Sequence, residues 1–594
     1  MNKTEYEAKM QQLLDDKMTY KCLGRRSPLV RLEKRANEII ETLNECGDID
    51  WKQRARMKKN NTQISRIYAF PKLHKPGHPL RLVNSTTNSP ASALSIWLDS
   101  FLRNIIHEKY DVKNSQQVKE KLRTITLDEN DIIVSLDIVS LFLSIPIRQT
   151  IDLIMKKWRK LYRKTAMSKK IFVELLEFVL LEAAVFAYGD MYYQQIDGTA
   201  MGINVAPTIA NFFTNEIIDQ VLDTLDWTPK MLMKYVDDIF VIIPRNKLDE
   251  FVSKLNAVFP QKIVFTVEKE TNGTLPYLDL LIQRGDNNDI KVDWYQKPTA
   301  ANRILNFQSQ HPLKQKEAVA YGFFSRVLSI VDDEFKQKNI DKIISILREN
   351  AYPMRVIKAQ LNKFIRNQNR PPQTPSQRTS EPIRRKRFSY FPVISEDIKQ
   401  VFKGKNEHLE LAFKPMNQLG ETVFTKLKQK IETPDQINAI YKIPCRGKEN
   451  EPCSKNYVGQ TKNRVRVRMY AHKTSTKHIT PDYVKPVAPD EKSDDNKTAL
   501  TIHAENTGHQ PDFENVSILD TEQFLSRRLV NESLHIYCND SMNLRRDVQG
   551  ISKTYASVLQ SVKARNTQSQ RRNVNSNAAN PMTVTQPIDE EEGE

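Results

Sequence analysis

The chain runs to 594 residues, which excludes a single hydrophobic core, since domains usually take about 100 to 200 residues each. Its 90 Lys and Arg against 72 Asp and Glu leave a formal charge of +18, an excess that favours a polyanionic partner such as nucleic acid over the blander alternative of a soluble basic protein. Five cysteines at this length exclude a disulfide framework and suit a reducing compartment, so paired cysteines become candidate metal ligands.

The first residues, "MNKTEYEAKM", lack an apolar segment followed by small residues, so no secretory signal is expected. Residues 1–60 are charged and helix-compatible. From about Ile64 to Phe335 short β-branched runs ("IIVSLDI", "KIVFTVE", "YLDLLIQ") alternate with helical patterns ("QTIDLIMKKWRKLY", "FVELLEFVLLEAAVF"), which predicts a mixed α and β domain. The longest apolar run, Ile171 to Phe186, is interrupted by Glu174, Glu177 and Glu182 and falls short of the roughly 20 residues of a bilayer span; it reads as a buried helix. A Pro-, Ser- and Arg-rich stretch, residues 371–394, reads as an exposed linker whose "RRKR" (Arg384 to Arg387) is either a nuclear import signal or a solvated basic run. A second folded unit is expected over about 395–550, and the Asn/Gln/Ser-rich end, 551–594, reads as disordered. The 16 glycines suit a helix-rich chain, and no repeat of constant period is present.

The stretch "MLMKYVDDIFVII" places Asp237 and Asp238 between two apolar runs, where two short strands would meet in a tight hairpin without the usual Asn-Gly chemistry. One Asp there would be a turn cap. Two adjacent carboxylates repel unless a cation lies between them, and the natural partner is a hard divalent ion such as Mg²⁺. A third carboxylate is offered by Asp137 in "DIIVSLDIVSLFLSIP", where a helix cap is the competing reading. Three such oxygen donors are the arrangement that holds two Mg²⁺ ions in nucleotidyl transfer.

At these residues a resemblance becomes specific. "YVDD" (Tyr235 to Asp238) and "SLDIVSLF" resemble the acidic motifs of reverse transcriptases, and "GTAMGINVAPTIANFFTNE" resembles the intervening motif, with Gly202 and Pro207 matching. "AFPKLHKPGHPLRLVNS", "VEKETNGTLPYLDLLI" and "DWYQKPTAANRILNFQSQHP" are similar to segments of the Penelope-like retroelements, a branch related to telomerase, and five blocks fall in order over roughly residues 65–320. The resemblance implies that Asp137, Asp237 and Asp238 are catalytic and bind Mg²⁺. It also implies that Arg81, with Lys72 or Lys75, holds a dNTP triphosphate, that Gly202 lies against the incoming base and template, and that Phe142 guards the sugar 2′ position. Solvated lysines are the alternative for the two lysines.

"INAIYKIPCRGKENEPCSKNYVGQTKNRVRVRMYAH" carries Tyr441 and Tyr457 in β-like runs followed by a basic helical pattern. Strand tyrosines are usually core residues. Together "AIY" and "YVG" resemble the GIY-YIG endonuclease motif, the carboxy-terminal partner of the polymerase in Penelope-like elements, with Ala439 replacing the first glycine. The resemblance implies that Tyr441 or Tyr457 activates water, Arg468 contacts the phosphate, His472 assists, and Glu532 binds one Mg²⁺ or Mn²⁺; Asn543 looks like a polar residue late in the motif. Arg464 and Arg466 read as plain DNA-backbone contacts. Cys445, Cys453, His503 and His509 are suited to a tetrahedral Zn²⁺ by donor type but not by tight spacing, and the resemblance adds that these endonucleases carry such a set. Cys22, Cys46 and Cys538 read as buried or free thiols.

The expected architecture is α+β and multidomain: an N-terminal helical region (1–60), right-hand fingers and palm (61–295), a helical thumb (296–370), a basic linker (371–394), a connector (395–434), a small α/β GIY-YIG domain with a zinc-binding insert (435–550) and the tail (551–594). The leading expectation is a nuclear retroelement protein that nicks target DNA and copies RNA from the freed 3′ end. Its partners would be template RNA, target and primer DNA and dNTPs, with no membrane and with homodimerisation left open. A GIY-YIG nuclease carrying an inactive polymerase-like RNA-binding domain, and a non-enzymatic nucleic-acid scaffold, are the competing readings.

Overall fold

The computed structural model describes residues 1–73, 75–368, 384–403, 409–415, 428, 430–448, 451–480, 497–539, 541–544, 557 and 559–560. The chain is a mixed α and β protein in two compact units, the first comprising 1–59 and 64–429, the second 60–63 and 430–594. Among the described residues no helix is long and apolar enough to cross a membrane.

The first unit is organised around a four-stranded antiparallel sheet in the order β7-β8-β4-β9, made by β4 (Asp131–Ile138), β7 (Met231–Tyr235), β8 (Asp238–Pro244) and β9 (Phe265–Lys269). Alternation along a strand sends neighbouring side chains to opposite faces. Ile132, Val134, Leu136, Ile239, Val241 and Ile243 enter one core with helices Leu29–Glu45, Ser92–Leu102, Ala206–Leu222 and Leu248–Val258. Ile133, Phe240 and Ile242 enter another, shared with β10 (Thr274–Tyr277), β11 (Leu280–Arg284), β12 (Ile290–Trp294) and helices Leu313–Ile330, Lys336–Glu349 and Met354–Gln368. Burial on both faces explains why "IIVSLDI" and "IFVII" read as continuous apolar runs.

A five-stranded sheet, β1-β6-β5-β2-β3, is built from β1 (Tyr20–Gly24), β2 (Ser65–Pro71), β3 (Leu80–Asn84), β5 (Val185–Tyr188) and β6 (Met191–Gln195). Several expectations change here. Residues 1–60 are not all helical, because Tyr20 is buried edge-on against Phe186 and draws β1 onto β6. The apolar run from Ile171 is not one helix: helix Lys169–Glu177 passes into a π turn, Phe178–Glu182, closed by the Ala183 amide on the Phe178 carbonyl (2.8 Å), after which Val185 and Phe186 pair with β6. The basic run "RRKR" lies in a strand, β13 (Arg384–Ser389), paired in parallel with β14 (Leu409–Lys414), where Arg385 meets Glu410 at 2.9 Å. Residues 371–383 of the expected linker fall outside the described residues, as does nearly all of the expected tail.

The second unit has a three-stranded antiparallel sheet in the order β16-β15-β17, from β15 (Ala439–Pro444), β16 (Asn456–Thr461) and β17 (Ser517–Thr521), with helices Val465–Thr476, Ala499–Thr507 and Leu525–Cys538. Residues 60–63, expected at the junction of the N-terminal region (1–60) and the fingers (from 61), belong to this unit, where the Thr62 carbonyl accepts from Arg464 (3.2 Å). Arg528, almost fully buried, ties helix Leu525–Cys538 to the sheet through Gln460 (2.8 Å), Asn438 (3.2 Å) and the Glu522 carbonyl (2.8 Å).

Candidate functional sites

Asp137 is the penultimate residue of β4, not a helix cap, and it pairs directly across the ladder with Asp238, the first residue of β8. The hairpin joining β7 to β8 turns on two residues, Val236 and Asp237, because Tyr235 and Asp238 already form its last pair. Val236 has φ 58°, a conformation costly for a β-branched residue and maintained only by its surroundings. Three carboxylates therefore meet where the ladder ends. Like charges directly opposite each other destabilise a sheet. Burial, reinforced by the charges of Asp237 and Asp137, pushes the Asp238 carboxyl up to about 6. Asp137, whose side chain is open to solvent, is raised by the protein packed on its other side and by Asp237. Such mutual repulsion fits a site built for cations, and oxygen donors suit Mg²⁺.

Cations of the chain surround this acid cluster. Lys72 and Lys75 draw the Asp137 carboxyl back down. Lys72 itself is held down by burial, then by Lys75 and Arg81, against the opposing pull of Asp137. The β2–β3 hairpin thus brings Lys72 and Lys75 within reach of Asp137, with Arg81 close enough to act on Lys72. Two participants carried no sequence signal: Lys297, whose charge lowers Asp238, and Tyr277, whose hydroxyl donates to the Asp238 carbonyl at 3.0 Å.

The loop that precedes helix Ala206–Leu222 is sewn to both neighbours. Thr199 N donates to the Phe142 carbonyl (2.6 Å), Asn84 N to the Met201 carbonyl (2.9 Å) and Thr86 Oγ1 to the Gly202 carbonyl (2.9 Å). Phe142 lies half-buried against the first core. Gly202 has φ +121°, and a Cβ there would stand 2.2 Å from the Asn84 carbonyl oxygen. Gly202→Ala must push the loop off β3, costing about 1–3 kcal/mol as overpacked sites do. The expected result is a lower melting temperature; a wild-type melting temperature for Gly202→Ala would refute the contact.

In the second unit Tyr441 is enclosed completely. Its hydroxyl is hydrogen-bonded to His472 Nε2 (2.8 Å) and accepts from Arg468 Nε (3.3 Å), while the Tyr457 ring packs edge-on against His472 at 5.2 Å. Burial, with Arg468 adding to it, lowers His472 to about 4, so the imidazole is neutral and free to accept. Gly459 lies opposite Tyr441, and a Cβ there would stand 2.6 Å from the Tyr441 hydroxyl, so the glycine of "YVG" makes room for the ring. Ala439, by contrast, sits in a regular ladder opposite Thr461, where a methyl is accommodated. Arg468 is half-buried and also bonds Tyr457, and the Glu532 charge reaches both Tyr441 and Arg528. Asn543 pairs its amide with both backbone groups of Val458 (2.9 Å each), which makes it a clamp on the β16 edge. Arg466 pairs with Asp435.

The ligating atoms of Cys445, Cys453, His503 and His509 all lie within 4.8 Å of one another, a possible Cys/His metal site. Cys445 Sγ is 3.4 Å and Cys453 Sγ 3.7 Å from His503 Nε2, and the Gly447 amide donates to Cys445 Sγ (3.4 Å). Neither ring nitrogen of buried His509 has a hydrogen-bond partner, with the Glu451 carboxylate 3.5 Å away. Two thiols and two imidazoles fit a soft, four-coordinate ion. None of the five cysteines forms a disulfide.

Residues 303–362 match the family model described as the animal helix-turn-helix domain. No curated protein matches the chain. Among solved structures the chain is similar to telomerase from Candida albicans in complex with a TWJ fragment of telomeric RNA, at 13% identity and a TM-score of 0.37, covering 56% of this chain and 59% of that one. It is also similar to apo telomerase from Candida tropicalis (12%, TM-score 0.33, 58% of this chain and 67% of that one) and to BmCPV RNA-dependent RNA polymerase at the elongation state (12%, TM-score 0.33, 58% and 31%). The chain spans about 59% of the length of the Candida albicans telomerase.

Proposed function

We propose that the first unit is an RNA-directed DNA polymerase and the second a metal-dependent DNA endonuclease of the GIY-YIG type, joined in a Penelope-like retroelement protein that acts in the nucleus. The observation that carries the polymerase half is the direct pairing of Asp137 with Asp238 beside Asp237 in the two-residue turn. Asp137, Asp237 and Asp238 would hold two Mg²⁺ ions, which when bound activate a primer 3′-hydroxyl and neutralise the leaving pyrophosphate. Lys72 and Arg81 bind the triphosphate, Gly202 leaves room for the incoming base, and Phe142 excludes a 2′-hydroxyl. Helix Lys336–Glu349 and its neighbours form the thumb over the copied duplex.

In the second unit Arg468, anchored by both tyrosine hydroxyls, faces the scissile phosphate. Glu532 would hold one Mg²⁺ or Mn²⁺ that stabilises the leaving oxygen. With the Tyr441 hydroxyl occupied by His472 and Arg468, Tyr457 orients the attacking water, while His472 assists by holding the Tyr441 hydroxyl and packing against the Tyr457 ring. The Cys/His set would hold a structural Zn²⁺. Purified protein is then expected to contain one zinc per chain by elemental analysis, and Cys445→Ser to lose the metal and lower the melting temperature of this unit by at least about 5 °C; a zinc-free wild type with the same melting temperature would refute the site.

The test of the whole reading is a single preparation assayed for extension of a DNA primer on RNA with Mg²⁺ and dNTPs and for nicking of duplex DNA. Nicking without dNTP incorporation would favour a nuclease attached to an inactive polymerase-like domain. Salt-dependent binding with neither activity would favour a scaffold.

A further inference from the structure

Lys234, three residues before Asp237, is the one charge in the apolar run "MLMKYV", and its side chain is fully buried. Its ammonium lies 2.9 Å from Asp111 Oδ1 and donates to Asn211 Oδ1, while Asn211 Nδ2 reaches Asp111 Oδ2 at 3.3 Å, closing a triangle. The main chain repeats the connection: Lys234 N donates to the Tyr110 carbonyl (2.8 Å) and Val112 N to the Lys234 carbonyl (2.9 Å), so residues 110–112 cover the outer edge of β7. Taking an ammonium out of water costs several kcal/mol, and an apolar side chain of the same length is usually no less stable at such a place. A buried lysine beside Met231 and Met233 is therefore poorly explained by stability alone.

The partner segment is clamped in turn. Helix Ala206–Leu222 is mostly apolar, yet it presents Asn211, Asn215 and Asp219 at four-residue steps, one face of a helix. Asn215 donates to the His107 carbonyl (2.8 Å), and Asp219 receives the Tyr110 hydroxyl (2.7 Å) and contacts His107 Nε2 (2.8 Å). The same helix follows directly on the Gly202 loop. Asp111, Asn211, Pro207, Thr208, Tyr235 and Val236 line one cleft of about 380 Å³ where helix and hairpin meet.

We propose, resting on the polymerase reading, that Lys234 is a positioning residue: braced by Asp111 and Asn211, it references the Val236–Asp237 turn to the helix that carries the Gly202 loop. A non-glycine residue at positive φ persists only where its neighbours over-determine it, and a loosened brace lets the turn relax and carries Asp237 away from Asp137.

The test uses the full chain. Lys234→Met is expected to lower the primer-extension kcat by roughly 10²-fold, the cost of about 1 Å of misplacement. It should raise the Mg²⁺ concentration for half-maximal rate several-fold, leave the dNTP KM within about twofold, and leave nicking unchanged. Asp111→Asn strands the buried ammonium and should be worse, and the double variant K234M/D111N should extend faster than D111N alone. If Lys234→Met folds poorly, Asn211→Ala, which keeps the ion pair, should still shift the Mg²⁺ midpoint. Wild-type kcat and an unchanged Mg²⁺ midpoint in K234M would overturn the proposal. So would a loss of rate that tracks melting temperature with no Mg²⁺ shift in either K234M or N211A, since that marks mere stability. A wild type that does not extend primers at all refutes the polymerase reading instead.

Discussion

Asp237→Ala is expected to stop primer extension while leaving nicking intact. The substitution removes one of three carboxylates from a cluster whose members raise one another, so the variant should fold at least as readily as wild type: less like charge is gathered at the ladder's end. What is lost, on the proposed reading, is the one carboxylate that the turn supplies, since Asp137 and Asp238 are committed to opposite strands of the ladder. Losing about 4 kcal/mol of transition-state stabilisation corresponds to roughly 10³-fold in rate. Melting temperature and extension should thus move in different directions. Unaltered extension by the purified variant would remove the acid cluster from the chemistry.

Glu532→Ala should produce the mirror image, with nicking reduced roughly 10³-fold and extension on a preformed 3′ end preserved. The fold should tolerate it, because helix Leu525–Cys538 keeps its attachment to the sheet through the bonds of Arg528, the Asn531–Asp520 bond and the packing of Ile536 on Ile440 and Val458. Glu532→Gln separates charge from shape: it should be as inactive as alanine if the carboxylate holds a cation, and near wild type if the residue only packs. Surviving nicking in both variants would refute a metal-binding role for Glu532.

The acids were legible in the sequence because they break a local rule. Two carboxylates between β-branched runs have no place in an ordinary hairpin, and Asp137 ends a strand with an acid where apolar residues surround it. The tyrosine pair breaks no local rule and stood out only through the resemblance, while the Cys/His set was marked by its donor types rather than by its spacing. Lys297 and Tyr277 gave no such signal. A lysine in a polar loop and a tyrosine in a strand are both ordinary locally, and only the closure of β10 and the segment after β12 over the hairpin brings them to Asp238. Lys234 lay in plain view as a charge in an apolar strand, but its counter-ion more than a hundred residues earlier could not be named without the fold. The π turn at Phe178–Glu182 was hidden for the opposite reason, because an apolar run does not announce where helix yields to strand.

The placement of β1 bears on how the chain reaches its structure. Tyr20 finds its partner Gln195 only after the intervening strands and helices have been made. During synthesis the first strand is therefore an unpaired edge until β6 has emerged from the ribosome, and the five-stranded sheet closes around a contact of large sequence separation that slows folding. The short β1, with a Gly at its end and Lys21 pointing outward, presents little to neighbouring chains while it waits.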